Sequence, residues 1–155
     1  MVLENKKCPN FKTTDEVGNE VSLDSLKSKN FILYFYPKDD TPGCTIEAND
    51  FNRLKQDFEQ ENCFVFGISR DGAKSHIKFK EKYCLNFPLL LDEGGEICTA
   101  FDVLKEKSMF GKKYIGVSRD TFLINSNGDI IKVWRNVSAN GHAEEVLKTL
   151  KSLKI

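Results

Sequence analysis

Histidine is scarce in this chain, with His76 and His142 alone among 155 residues, and no two cysteines form a Cys-x-x-Cys pair. A four-ligand zinc site would have to gather cysteines from remote elements, so none is expected. The five cysteines, at positions 8, 44, 63, 84 and 98, are odd in number and irregular in spacing, which argues against a structural disulfide framework. Long apolar runs are missing too: Asn30 to Tyr36 and Phe87 to Leu91 are strand-sized and too short to cross a bilayer. The start, Met1 to Lys7, carries neither an apolar stretch nor a small-residue cleavage site, so the chain reads as unsecreted and cytoplasmic. Net charge is absent as well. The 23 basic and 23 acidic side chains cancel, which gives no reason to expect nucleic acid or an anionic membrane as partner.

What is present is an ordinary globular mixture, 40% apolar and 30% charged, of a length that suits one domain spanning residues 1–155. Residues 7–21, with Pro9, Gly18 and the apolar anchors Phe11, Val17 and Val21, read as a loop and short hairpin at a sheet edge. Ser22 is suited to cap a short helix through Leu26. Phe31 to Tyr36 is continuously apolar and aromatic until Pro37 stops it, the mark of a strand buried on both faces. A helix from Thr45 to Glu61 follows, then a buried strand at Phe64 to Ile68 and a second helix from Ala73 to Tyr83. Beyond Leu89 to Leu91 come a short helix around Ile97 to Phe101, a strand from Gly116 to Ile124, and a turn at Asn127-Gly128. A returning strand, Ile130 to Trp134, and a last helix, Gly141 to Leu153, complete the series. Strand, helix, strand, helix implies parallel strands with right-handed crossovers. With the late hairpin and closing helix, the class is α/β: a thioredoxin-like fold, its central mixed sheet flanked by helices. A Rossmann fold is excluded, because Lys38 to Gly43 follows the first central strand where Gly-x-Gly-x-x-Gly would stand.

The informative stretch is Pro37-Lys38-Asp39-Asp40-Thr41-Pro42-Gly43-Cys44-Thr45-Ile46-Glu47. Cys44 falls in the first turn of a helix at the carboxyl edge of a parallel sheet, where ligand sites lie. The free amides and dipole of a helix start favour a thiolate over a thiol, the requirement for a sulfur nucleophile. Thr41, three residues earlier, can turn its hydroxyl toward the sulfur and an incoming oxygen, and Pro37 and Pro42 stiffen the loop. Cys44 on these grounds alone reads as nucleophile or as a small buried hydrophobe.

The segment resembles the Pro-x-x-x-Thr-x-x-Cys motif of the peroxiredoxins, and Phe35 through Thr45 is most similar to the peroxiredoxin Q, or bacterioferritin comigratory protein, subfamily. The similarity extends over Lys7 to Phe11, Gly67-Ile68-Ser69, Phe87 to Asp92, Arg119 to Ile124 and the final helix. The resemblance implies a thiol peroxidase that needs no metal or other cofactor. Cys44 would attack the peroxide, Thr41 would hydrogen-bond sulfur and substrate, Pro37 would shield the pocket, and Arg119 would hold the thiolate and polarise the peroxide. Without it, Arg119 reads as a solvent-facing arginine paired with Asp120. Glu47 matches a position that braces the arginine, though a glutamate at a helix start is favourable for its charge alone.

Many subfamily members carry a resolving cysteine five residues after the first, and here that position is Asn49. Others place it at the end of the next long helix, which Cys84 matches, with Cys98 as the fallback. The alternative is a one-cysteine enzyme reduced by an external thiol. Cys8 and Cys63 read as filler, His76 and His142 as surface or capping residues, and Trp134 as packed with Phe122 across the late hairpin. Tyr36 and Phe35 are expected around the pocket. The resemblance implies thioredoxin as electron donor and a monomer, with a dimer as the other state. Two rivals stand apart from it. A thiol–disulfide oxidoreductase on the same fold would need a cysteine where Thr41 stands, and a redox adaptor or holdase would need exposed apolar surface that the sequence does not announce.

Overall fold

The computed structural model describes residues 3–155. A first hairpin pairs β1 (Lys12–Thr14) with β2 (Glu20–Ser22), its turn closed by the Asp15 carboxylate, which accepts from the amides of Val17 and Asn19. Ser22 then caps a 3-10 turn over Asp24–Leu26: its hydroxyl accepts from Ser25 N at 3.0 Å, and Ser25 Oγ accepts from Ser22 N at 2.9 Å.

All six residues of β3 (Asn30–Phe35) are buried. After α1 (Pro42–Arg53) and α2 (Lys55–Gln60), β4 (Cys63–Ser69) returns parallel to β3. The chain continues through α3 (Ala73–Tyr83), β5 (Leu89–Leu91) and α4 (Glu96–Ala100) to a separate hairpin, β6 (Leu104–Met109) with β7 (Lys112–Val117). Then β8 (Asp120–Ile124), β9 (Ile130–Trp134) and α5 (His142–Leu153) end it. The five-stranded sheet has the order β5-β4-β3-β8-β9, with β5, β4 and β3 parallel and β8 and β9 antiparallel.

Alternation along β3 divides the core in two. Phe31, Leu33 and Phe35 point into a layer with Phe11, Phe66, Phe101 and Phe122. Ile32, Tyr34 and Tyr36 point into the other, with Phe51, Phe58, Phe79, Val146 and Leu150 from the helices. This is the thioredoxin-like α/β arrangement, and no helix among the described residues is long and apolar enough to cross a membrane.

Three local expectations are corrected, and one element is new. The helix expected over 45–61 begins at Pro42 and breaks at Leu54 (φ −95°, ψ 4°), where that side chain turns into the core. The strand expected over 116–124 is two, interrupted at Ser118 and Arg119: Ser118 N bonds Val103 O and Arg119 O accepts from Val137 N, so neither continues a ladder. The β6–β7 hairpin is an addition; Phe110 (φ +52°) and Gly111 (φ +78°) form its two-residue turn, the left-handed pair that such tight hairpins use. Finally, Trp134 lies opposite Thr121 and packs edge-on to His142, in the layer away from Phe122.

Candidate active site

The first turn of α1 follows from its composition. Thr41 is the extended N-cap residue (φ −90°, ψ 157°), Pro42 occupies the first helical position, and Gly43 and Cys44 come next. The earliest intrahelical bond runs from Thr45 N to Thr41 O, so the amides of Gly43 and Cys44 precede the helical ladder. Thr41 Oγ1 donates to the Lys38 carbonyl at 2.9 Å, and this departs from the expectation that it turns to the sulfur.

Three residues separated in sequence meet here. Cys44 is buried; Arg119 Nη1 donates to its Sγ at 3.6 Å and to Glu47 Oε1 at 2.9 Å. Glu47 stands one turn beyond Cys44, which sets both on one side of α1. Arg119 arrives from the break between β7 and β8. It passes over Gly43, where a side chain's first carbon would lie 2.8 Å from Arg119 Nη2. Gly43 is therefore part of the site through its lack of a side chain, a role the motif alone did not reveal. Asp120, the alternative partner of Arg119, is instead bound by Arg135 at 2.9 Å.

Burial pushes the Glu47 carboxyl up to about 7, against the pull of Arg119's charge and hydrogen bond. Glu47 Oε2 is buried and has no hydrogen-bond partner among the described residues. Burial also opposes the charge on Arg119, but Glu47 and Cys44 more than offset it and raise the pKa.

Both histidines are buried, contrary to the surface roles expected of them. His142 Nε2 lies 2.8 Å from Thr121 Oγ1; burial, assisted by the charge of Arg119, lowers its pKa to about 4. His76 Nδ1 lies 2.6 Å from Asp39 Oδ2 and Nε2 2.8 Å from the Leu90 carbonyl. Asp39, His76 and Asp71 bring candidate ligand atoms within 4.8 Å of one another. Those atoms are engaged with one another and with Tyr36, Ser69 and Ser75, so the cluster is a hydrogen-bonded junction. Tyr36 thus serves it through its hydroxyl, whereas Phe35 belongs to the opposite core layer, with Phe101 and Phe122.

Pro37 and Thr41 border a cleft of about 670 Å³ whose other wall is the β6–β7 hairpin, with Met109, Phe110, Tyr114 and Val117 beside Lys107 and Lys112. Phe110 is 97% exposed at the hairpin tip, an apolar feature that the sequence reading passed over.

All five cysteines are free thiols. Burial pushes Cys8 and Cys63 up to about 12 and raises Cys98 as well, with Asp92 reinforcing the effect there. Cys84 is exposed, in left-handed conformation (φ +54°) at the end of α3. Its carbonyl accepts from Asn52 Nδ2 at 3.0 Å, and Asn52 Oδ1 accepts from Asn86 N at 2.7 Å. Asn52 is eight residues past Cys44, about 12 Å along the helix axis. In this state α1 therefore separates the two cysteines.

The AhpC/TSA family matches residues 5–133. The chain is 45% identical over 148 residues to peroxiredoxin Bcp of Bacillus subtilis, covering 96% of this chain and 94% of that protein. Among solved structures, a cysteine-to-serine mutant of Xylella fastidiosa PrxQ superposes with a TM-score of 0.94 at 40% identity, covering 100% of this chain and 99% of that one. The Xanthomonas campestris bacterioferritin comigratory protein, solved as trapped intermediate and ligand complexes bearing on its alkyl peroxide reduction activity, gives 0.88 at 40% identity, covering 94% and 92%.

Proposed function

Since this chain belongs to the AhpC/TSA family, in its peroxiredoxin Q/Bcp branch of thiol peroxidases, we propose that it reduces hydrogen peroxide and organic hydroperoxides with the sulfur of Cys44. The carrying observation is Arg119 Nη1 at 3.6 Å from Cys44 Sγ in the first turn of α1. The thiolate attacks the terminal peroxide oxygen. The O–O bond breaks, Cys44 becomes a sulfenic acid, and the departing oxygen takes a proton from solvent to leave as water or alcohol. The guanidinium lies beside both the sulfur and the charge that develops on the leaving oxygen, where fixed donors lower the barrier most. Glu47 holds that guanidinium at 2.9 Å. Thr41, its proton committed to Lys38 O, keeps hydroxyl lone pairs to accept from the peroxide O–H, while Pro37 forms the cleft wall. The apolar side chains of the β6–β7 hairpin suit an organic hydroperoxide.

Cys84 then condenses with the sulfenic acid, forming the disulfide and releasing water, and thioredoxin returns both thiols by dithiol–disulfide exchange. Disulfide geometry tolerates short Cα separations only, so the first turns of α1 must leave the helix for this step. A second reading draws on the Asn52 hold on Cys84: a one-cysteine cycle in which an external thiol attacks Cys44 directly. Peroxide-dependent NADPH oxidation through thioredoxin reductase and thioredoxin tests both. Activity in the wild type, its loss in Cys44→Ser and strong loss in Cys84→Ser support the two-cysteine cycle. Full activity in Cys84→Ser selects the one-cysteine cycle, and activity in Cys44→Ser contradicts the whole reading.

A further inference from the structure

Asp39 is the most heavily engaged side chain in the loop that precedes Cys44. Tyr36 Oη donates to Oδ1 at 2.6 Å, while Ser75 Oγ, at 2.8 Å, and His76 Nδ1, at 2.6 Å, meet Oδ2. Its own amide donates to Asp71 Oδ2 at 2.9 Å, and Ser69 Oγ holds that same oxygen at 2.6 Å. The carboxylate is 2% exposed and His76 is fully buried. The Leu90 carbonyl cannot donate, so His76 Nε2 carries a hydrogen toward it, and the ring is fixed from both ends. Next along the chain, Asp40 adopts φ +58° and meets Lys82 and Tyr83 at the far end of α3, but in solvent. Residues 39 and 40 therefore tie the start of α1 to both ends of the helix that carries Cys84. The buried tie is the one that resists opening, since exposed pairs hold little.

We propose that Asp39, held by His76, is a positioning residue that keeps the first turn of α1 folded, and that its release sets how fast oxidised Cys44 reaches Cys84. This rests on Cys84 being the resolving thiol. The sulfenic acid has two fates. With the Cys84 thiol it gives the disulfide and water; with a second peroxide it gives sulfinic acid and an alcohol, or water. A tight clamp prolongs the folded sulfenic acid and favours the second fate, while a loose clamp favours the first. Burial works against a charge on His76, but Asp39, by hydrogen bond and charge, together with the Leu90 carbonyl and the charge of Asp71, outweighs it and raises the pKa, as an ion-paired clamp requires.

The test compares His76→Gln with His76→Asn. The Asn amide can take the place of Nδ1 and keep the bond to Asp39; the Gln amide reaches the position of Nε2 and loses it. Amide hydrogen exchange is read in the reduced proteins, and the sulfinic fraction of Cys44 after excess hydrogen peroxide by mass. Expected for Gln is exchange about tenfold faster over residues 38–48, the scale of one lost charge-assisted hydrogen bond, with β3, β4 and β8 unchanged. Its sulfinic fraction falls, and Asn restores both readouts toward wild type. Unchanged exchange over 38–48 in Gln, or an equal rise throughout the sheet, overturns the clamp. Absence of a Cys44–Cys84 disulfide in the wild type overturns the resolving role instead, and the exchange data still decide the clamp. If the Gln variant fails to fold, Asp39→Asn carries the same readouts.

Discussion

The segment from Pro37 to Glu47 is gripped on two sides. Toward α3, Asp39 has both carboxylate oxygens and its amide engaged, among groups that are themselves satisfied. Toward β8, Arg119 shares one nitrogen between Glu47 and Cys44, and Glu47 keeps a buried oxygen with no partner among the described residues and a pKa pushed up to about 7. A completed network holds geometry at little cost, whereas an incomplete one keeps a group whose charge depends on its surroundings. The second arrangement is where chemistry is expected.

Removing each grip in turn gives the strongest contrast. Arg119→Met keeps length without charge and should slow the reaction of Cys44 with hydrogen peroxide by about a hundredfold or more, the scale of losing a donor that stabilises developing charge. Stopped-flow rates should show a far smaller change in Asp39→Asn. Equal losses would erase the distinction.

The pH dependence of stability sharpens it further. Glu47 titrates near 7 when folded and near 4.5 as a free side chain, so its favourable contribution is complete below about 4.5 and is lost as pH rises through 7. That is on the order of 3 kcal/mol, and Glu47→Gln should remove it. His142, with its pKa lowered to about 4 from 6.5, acts in the opposite sense. Its contribution is present above 6.5 and lost as pH falls toward 4. The two slopes offset each other in the wild type, so urea unfolding of Glu47→Gln and His142→Gln across pH 4–8 should tilt in opposite directions.

Smaller effects follow. In Gly43→Ala the new carbon displaces the guanidinium tip, and the peroxide rate should fall by about tenfold. Thermal unfolding should stay within about 1 kcal/mol of wild type, because the arginine end can shift. Lys82→Ala removes one of the two exposed partners of Asp40, the other being Tyr83, and should barely change stability, as exposed pairs hold little. A larger loss would move the hold on the loop from Asp39 to the surface.

The central sheet was legible because Phe31 to Tyr36 and Val65 to Ile68 are runs that only a doubly covered strand can bury, whereas Phe64, expected in the same buried strand, is 39% exposed. The β6–β7 hairpin was not, since lysines stand on both of its strands and most of its residues are exposed. Gly111 was its one local sign. Cys44, locally a nucleophile or a small buried hydrophobe, was decided by the resemblance of the Thr41–Cys44 segment, and Arg119 rested on resemblance alone: its neighbour Asp120 looked like its partner until Arg135 took that place. His76 and Asp39 are 37 positions apart, and nothing local to either predicts burial against the other. Their meeting is a product of the β4–α3 crossover.

The central claim is the peroxide reactivity of Cys44. Reduced protein treated with one equivalent of hydrogen peroxide, followed by intact mass, thiol count and peptide mapping, tests it directly. The account predicts rapid loss of two hydrogens and two thiols, mapped to Cys44 linked to Cys84. Cys44 left unreacted while the peroxide persists, or oxidation confined to another cysteine, would contradict it.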